Sequence, residues 1–306
     1  MSTPGPQLPS AAGVLRPVRR AVDRAAFRMR LHQVADGRAP ARRLDLGSAP
    51  DESASILADE CRKLRVGSPS LKRVIAGLRR SGALDQIMDG LAVRDREIQM
   101  RSVRVAGALR LEAVVPWLEP SLASSYAPLR AAAARALGRI GGVRAANALV
   151  RGLSWRRGST ARLVMELARA APDLYLEARL VDPELRRIRS SLALAAGLRR
   201  RRTTLPALLD LIETGSRTER VVSARAIGWI ASPESGAALV YALSDPDWQV
   251  RNAAAKALGW LTGAGESELT FGLLDRQPRV RRSTEDALRR RRRLSSSPVG
   301  GVPRWR

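Results

Sequence analysis

Small residues recur along this chain at a nearly constant spacing. Successive positions lie 29 to 31 residues apart, from the first third of the chain almost to its end. A period of this length is typical of repeat proteins, in which each short helical or mixed unit buries its apolar face against its neighbours. The spacing therefore predicts a stack of about eight similar repeats. The marker positions are Gly77, Gly107, Gly138, Ala168, Gly197, Gly228 and Gly259, and the same spacing continues to Arg289.

Each repeat is predicted to be a hairpin of two helices. Residues 250–261 and 129–140 align without a gap, and their apolar residues recur at the spacing of one helix face. A second apolar segment ends sixteen residues before most markers, which predicts a first helix in each repeat. Pro246 and Asp247 predict the turn between the two helices, because proline cannot continue a helix and aspartate is a good N-cap.

The repeated elements resemble HEAT repeats in their short bacterial form, the phycobilin lyase HEAT-like repeats. Residues 245–259 contain the Asp-Pro-Asp, Val-Arg, Ala-Ala and Ala-Leu-Gly elements, and the resemblance extends over residues 55–293. It implies an all-α fold, a right-handed α-solenoid of about eight HEAT-like helical hairpins. It also implies that an Arg after the Val pairs with an Asp of a neighbouring turn. The Arg residues in that position are Arg130, Arg189, Arg220, Arg251 and Arg281.

Three regions are predicted along the chain: a basic N-terminal segment (1–53), the repeat solenoid (54–293) and a disordered basic tail (294–306). The first region combines an amphipathic helix with a linker. This helix either binds an anionic membrane or a partner through residues 14–30, or folds back and caps the first repeat. Its apolar stripe is Val14, Val18, Val22, Ala25 and Met29, and its basic stripe is Arg16, Arg20, Arg24 and Arg28.

The composition offers little catalytic chemistry. Cys61 and His32 are the only residues of their types, so an internal disulfide and a multi-histidine metal site are excluded. HEAT-like enzymes of the alkylated-DNA glycosylase and phycobilin lyase types exist, but none of their active-site motifs is recognisable here. We therefore expect no enzymatic activity, cofactor or metal. The chain shows no transmembrane or signal-peptide segment, so a cytoplasmic location is expected.

The charge is strongly positive, with 54 Lys and Arg against 29 Asp and Glu, a net +25. Residues 1–46 carry +6 and residues 289–306 carry +7, so about half of the excess lies at the two ends. This distribution indicates either solvated ends or contact with nucleic acid or another anionic surface. At the C-terminal end, five consecutive arginines are predicted to extend the last helix and to form a basic site directly before the tail: Arg289, Arg290, Arg291, Arg292 and Arg293.

A candidate contact surface follows from the helical wheel. Residues three before each marker lie opposite the buried face of the second helix, and stacked second helices form the concave wall of such a solenoid. An apolar centre between basic ends suits a partner helix or peptide. Trp229 and Trp260, one turn further on, either bind an aromatic anchor or a base, or pack between repeats. The row is Val74, Arg104, Arg135, Met165, Leu194, Arg225, Lys256 and Asp286.

The sequence thus predicts a non-enzymatic protein–protein interaction scaffold that binds its partner along this row. A nucleic-acid-binding protein that uses the basic residues and the Arg-rich ends is the alternative. A HEAT-like enzyme of the lyase or glycosylase type is a third function class.

Overall fold

The computed structural model describes residues 11–40, 44–46, 50–155, 159–261 and 265–295. These residues form seventeen α-helices and a few short 3₁₀ turns, with no strand among them. The chain divides into two compact units, an N-terminal unit (residues 1–140) and a C-terminal unit (residues 141–306). The predicted all-α solenoid is confirmed.

In the N-terminal unit, helices pair into hairpins whose second members stack side by side. Helix α4 packs on α5, and α6 packs on α7. The row of stacked helices runs from α2 to α5 to α7. The helices are α1 (Ala11–Ala35), α2 (Pro50–Lys63), α3 (Pro69–Arg80), α4 (Ala83–Ala92), α5 (Arg96–Leu109), α6 (Val115–Leu122) and α7 (Ala127–Ile140).

The C-terminal unit repeats this arrangement over a longer stretch. Its row of stacked second helices runs through α9, α11, α13, α15 and α17, and each intervening helix packs on the second helix that follows it. The helices are α8 (Gly142–Ser154), α9 (Thr160–Ala170), α10 (Tyr175–Leu180), α11 (Arg189–Arg199), α12 (Leu205–Thr214), α13 (Arg217–Ile230), α14 (Gly236–Ala242), α15 (Trp248–Leu258), α16 (Glu266–Phe271) and α17 (Pro278–Ser295).

Close helix contacts explain four of the marker glycines. A Cβ atom added at Gly228 would lie 2.6 Å from the Cβ of Ala257 and 2.7 Å from its Cα, far inside van der Waals contact. Three other marker glycines lie equally close to an alanine of the next second helix. The 30-residue period therefore records where consecutive second helices come closest. The other pairs are Gly107–Ala136, Gly197–Ala226 and Gly259–Ala287.

Side-chain caps fix where the second helices begin. Asp247 accepts a hydrogen bond from the backbone N–H of Gln249 at 2.8 Å, which confirms its predicted role as the N-cap of α15. Asp95 caps α5 in the same way, through the N–H groups of Glu97 and Ile98. On α13, Ser216 and Glu219 form a capping box.

The first marker lies on a helix with a different role. Gly77 belongs to α3, which packs against α1 and α4, whereas α2 occupies the place beside α5 in the stacked row. The prediction that Gly77 marks a second helix of the row is therefore wrong. The physical reason is that the apolar face of α3 points into the core of the N-terminal unit, where Val74 is fully buried.

Helix α1 buries a different face from the one that the sequence predicted. Its C-terminal half packs on α2 and α3 through Phe27, Leu31 and Val34. Val22 and Met29, from the predicted apolar stripe, are 61% and 59% exposed. This packing agrees with the alternative in which the helix caps the first repeat.

Parts of the terminal predictions lie outside the described residues. This applies to residues 1–10, to the side chains of residues 11–18, and to most of the predicted tail, residues 296–306. The basic face of α1 is described from Arg19 onward. There, Arg20 and Arg24 lie 3.9 and 3.7 Å from the Glu52 carboxylate. The boundaries proposed between the three regions remain predictions.

Candidate interaction surface

The residues three before the markers do form a surface in each unit, with Val74 as the exception. Arg104, Arg225 and Lys256 are exposed, and Met165 is 59% exposed. Leu194 and Arg135 are half-buried and Asp286 is exposed. We call these side chains the second-helix face. Whether a partner binds to them stays a prediction.

In the N-terminal unit this face is a groove of about 820 Å³ along α2, α5 and α7. Arg104 and Arg135 line it together with Tyr126, whose ring lies 5.1 Å below the guanidinium of Arg96. Two other arginines in the groove are neutralised locally, because Arg62 pairs with Asp59 and Arg101 pairs with Asp51. The groove therefore presents mixed charge.

In the C-terminal unit the face changes character from one helix to the next. Met165 on α9 and Leu194 on α11 are apolar, and Arg225 on α13 and Lys256 on α15 follow them. Leu198, one turn after Leu194 on the same side of α11, is 46% exposed and enlarges the apolar part. We call Met165, Leu194 and Leu198 the apolar patch. Leu198 was missed because it directly follows the marker Gly197, where the repeat pattern does not separate buried from exposed positions.

Beyond the apolar patch lies a basic groove between α13, α15 and α17. It consists of two adjoining cavities of about 450 and 360 Å³, which share Arg225, Lys256 and Asp286. Arg279 and Arg282 line it from the first turns of α17, and Arg290 lines it from further along that helix. Arg279 and Arg282 lie outside the row predicted from the sequence. The helical spacing of Arg282 and Asp286, four residues apart, could have placed them on one face.

Both predicted tryptophans are engaged in packing. The Trp229 ring lies against α11, with its Cε3 atom 2.9 Å from where a Cβ of Gly197 would stand. The Trp260 ring lies 4.0 Å below the guanidinium of Arg290, and Trp248 lies 5.5 Å below that of Arg279. Stacked guanidinium groups cover the Trp260 and Trp248 rings, and Trp229 fills the gap between two repeats.

The Arg that recurs in five of the second helices has a structural role. The Arg251 side chain donates two hydrogen bonds to the Asp275 carboxylate, at 2.7 and 3.1 Å, and Arg220 does the same to Asp245. These bonds hold the pKa of the Asp275 carboxyl below its ordinary value, and they raise the pKa of both guanidinium groups. The predicted ladder is confirmed at these two positions.

The other three ladder arginines use different acceptors. Arg130 donates to the carbonyls of Ser124 and Ser125, and Arg281 donates to the carbonyl of Asp275. Arg189 lies 3.7 Å from the Glu219 carboxylate. Like Arg220 and Arg251, these three side chains therefore bind to a turn or to the next repeat. They are not free to bind a ligand.

The Arg-rich end of α17 is partly built into the fold. Arg291 is buried, and its Nε donates to the carbonyl of Leu258 at the end of α15, at 2.9 Å. Arg289 lies 3.7 Å from Glu285 on its own helix. Arg292 and Arg293 are exposed. Within this run of arginines, Arg291 thus stabilises the contact between α15 and α17.

Groups with catalytic potential are scarce within the described ranges. Cys61 is fully buried, and this burial, with the nearby Glu60 carboxylate, raises the pKa of its thiol to about 12. The exposed His32 ring lies 3.3 Å from Glu60. No three His, Cys, Asp or Glu side chains of the described residues are grouped so as to hold a metal ion.

A helix that crosses a membrane needs about 20 mostly apolar residues. In the described part of the chain, no helix has both the length and the apolar character that a crossing requires.

Two stretches match known repeat families. Residues 205–289 match the family of HEAT repeats, and residues 129–154 match the PBS lyase HEAT-like repeat. No curated protein matches the chain significantly.

Among solved structures, the chain is similar to an engineered protein, with 19% identity, a TM-score of 0.36, and coverage of 89% of this chain and 79% of that one. It is also similar to human deoxyhypusine hydroxylase in complex with glycerol, with 17% identity, a TM-score of 0.35, and coverage of 89% and 99%.

Proposed function

We propose that this chain, a HEAT-repeat protein, is a non-enzymatic scaffold that binds a protein partner on the C-terminal unit. HEAT repeats build helical scaffolds, and a stack of them offers a long surface made of similar elements. The observation that carries the proposal is the apolar patch. Its members belong to stacked second helices, α9 and α11, so a single partner element can cover them together.

The chemistry of the apolar patch suits an apolar anchor on a partner helix or peptide. Met165 is flexible and polarisable, which lets it adapt to the shape of an inserted side chain. Leu194 is already half-buried, so its side chain is held in place by packing beside the more exposed Leu198 and Met165. Interfaces of this kind concentrate their binding energy in a small apolar centre from which water is excluded.

A site-directed crosslinking experiment tests this proposal. A photoreactive amino acid is introduced in place of Met165, and in a second protein in place of Tyr241, which is 71% exposed on α14. The expected result is a specific crosslinked partner from position 165 that is absent from position 241. That partner is then purified, and its affinity is measured by calorimetry.

Substitutions should confirm the contact with the purified partner. We expect Met165→Asp and Leu198→Asp each to weaken binding by about tenfold or more, because a buried charge costs well over the 1.4 kcal/mol that a factor of ten represents. Tyr241→Asp is the matched control and should bind like the parent chain. Circular dichroism establishes that the variants fold. Equal crosslinking from both positions, or unchanged affinity after both patch substitutions, would contradict the proposal.

A further inference from the structure

We infer that the basic groove between α13, α15 and α17 binds the sugar–phosphate backbone of a nucleic acid. This inference concerns different residues from the apolar patch and does not depend on the protein partner proposed above. It goes beyond a scaffold role because it assigns a second class of ligand to the C-terminal unit.

The charge in the groove is concentrated and positive. Five cationic side chains line its two cavities, and the only carboxylate among the lining residues is that of Asp286. Because the cations come from three stacked helices, their charges form a continuous band across the unit. The cations are Arg225, Lys256, Arg279, Arg282 and Arg290.

Three of these cations are available to a ligand. Within the described part of the chain, the side chains of Arg225, Lys256 and Arg282 make no hydrogen bond or ion pair. All three are exposed. They contrast with the ladder residues Arg220 and Arg251, whose guanidinium groups are held by carboxylates. An unpaired cation needs no local contact to be broken before it binds a phosphate.

The aromatic residues of the groove indicate backbone contact and not base stacking. Arg290 covers one face of the Trp260 ring, and Arg279 covers one face of the Trp248 ring. Trp229, the third aromatic residue of the groove, packs against Gly197 on α11, so each ring already has a packing partner. Asn252 and Ser283 hydrogen-bond to each other at 2.7 Å and are also occupied. Apart from Asp286, the exposed charged side chains of the groove are cationic. Cations that contact phosphates position a nucleic acid without reading its sequence.

Helix α17 extends the positive surface beyond the groove. Its exposed side chains include Arg289, Arg292 and Arg293, toward its C-terminal end. An 18-residue helix is about 27 Å long, which matches several consecutive phosphates of a nucleic acid strand. An acidic peptide with an apolar anchor would instead be expected beside the apolar patch, whose residues lie on α9 and α11.

The experiment measures how DNA binding by the full chain depends on salt. A fluorescently labelled 20-base-pair duplex of mixed sequence is titrated with protein at several sodium chloride concentrations, and anisotropy is recorded. Each phosphate contact contributes about 0.9 to the slope of log affinity against log salt. Arg225→Gln, Lys256→Gln and Arg282→Gln together should therefore reduce the slope by about 2 to 3 and weaken binding at least tenfold at low salt.

A control variant distinguishes direct phosphate contacts in the groove from the general attraction of DNA by the positive charge of the protein. Arg186→Gln, Arg187→Gln and Arg202→Gln together remove the same charge from exposed positions of the same unit, outside the groove. This triple variant should change the slope by less than about 1, because it removes long-range attraction but no contact. A charge-preserving variant, Arg225→Lys with Arg282→Lys, should keep most of the slope.

Three outcomes would overturn the inference. The first is the absence of duplex binding at low salt, and the second is an equal loss in the groove and control triple variants. The third is that polyglutamate binds the groove more tightly than DNA and depends on the same three residues, which would assign the groove to an acidic polypeptide.

Discussion

At Gly228 the packing of two helices leaves no room for a side chain. In an ordinary helix interior, Gly→Ala would stabilise the protein by about 1 kcal/mol. Here the added Cβ would meet two atoms of Ala257 at under 2.8 Å. We therefore expect Gly228→Ala to lower the free energy of unfolding by about 1 to 3 kcal/mol, as measured by denaturant titration.

A second substitution checks that the clash is the cause. Ala257→Gly removes one of the two atoms that the new Cβ would meet. The double variant should therefore be more stable than the sum of the two single effects predicts. If Gly228→Ala is as stable as the parent chain, the close-contact explanation of the repeat period is wrong.

Ala231 offers the opposite substitution. It ends α13 in the left-handed conformation, with φ of 54°, a geometry that glycine adopts freely and alanine does not. We expect Ala231→Gly to raise the free energy of unfolding by about 0.5 to 1 kcal/mol. The matched control is Ala131→Gly in the interior of α7, which should lower it by about 1 kcal/mol. If both substitutions shift the denaturation midpoint in the same direction relative to the parent chain, this explanation is wrong.

Among the structural elements, the buried Arg–Asp pairs connect one repeat to the next. The Asp275 side chain is only 9% exposed and receives two hydrogen bonds from Arg251. Removing its charge leaves a half-buried guanidinium without its counter-ion. We expect Asp275→Asn to lower the free energy of unfolding by about 1 to 3 kcal/mol at pH 7.

The effect of Asp275→Asn should depend on pH in a defined direction. Because the pKa of this carboxyl is lowered in the folded state, the unfolded chain binds the proton more readily, and the carboxylate stabilises the fold above the unfolded pKa of about 3.9. As the pH falls through the folded pKa, that stabilisation is lost. The difference between parent and variant should therefore be constant above about pH 5 and shrink below pH 4.

An exposed ion pair provides the comparison. Asp173 pairs with Arg201, but its side chain is 76% exposed to solvent. Asp173→Asn should change the free energy of unfolding by less than about 1 kcal/mol at any pH, since water screens such pairs. If the two Asn variants lose the same stability, burial is not what gives the Arg–Asp contacts their effect.

The hairpins could be predicted from the sequence wherever the close helix contact needs a glycine. Such a contact is found at Gly107, Gly197, Gly228 and Gly259. Asp247 marks the turn before the second helix of its repeat. The first repeat could not be predicted, because α2 joins the row without a glycine at the marker spacing while Gly77 lies on α3. Spacing alone does not show which helix joins the row.

The candidate site was predicted only in part, for a similar reason. Residues three before the markers were placed correctly on the second helices from Arg104 onward, because that position follows from the helical wheel. Arg279 and Arg282 complete the basic groove from the start of α17, which is a relation between neighbouring repeats. A sequence pattern within one repeat does not predict which residues of the neighbouring repeat lie beside it.

At the scale of the whole molecule, a net charge of +25 opposes the compact state. Among the described residues, most charged side chains lie at the surface, so salt should screen their repulsion, whereas the largely buried Arg–Asp pairs are screened much less. We expect the melting temperature to rise by a few degrees as sodium chloride increases from about 20 to 300 mM, where the Debye length falls well below the spacing of most surface charges. Circular dichroism at 222 nm, a wavelength that reports helix content, would follow the transition.

Reducing the net charge should reduce this response. Replacing Arg186, Arg187 and Arg202 with Glu lowers the charge by six and breaks no ion pair among the described residues. The variant should melt at a higher temperature than the parent at low salt, and its melting temperature should change less with added salt. If salt instead lowers the melting temperature of the parent chain, attractive surface pairs outweigh the repulsion. The positive excess would then not be the main electrostatic cost of folding.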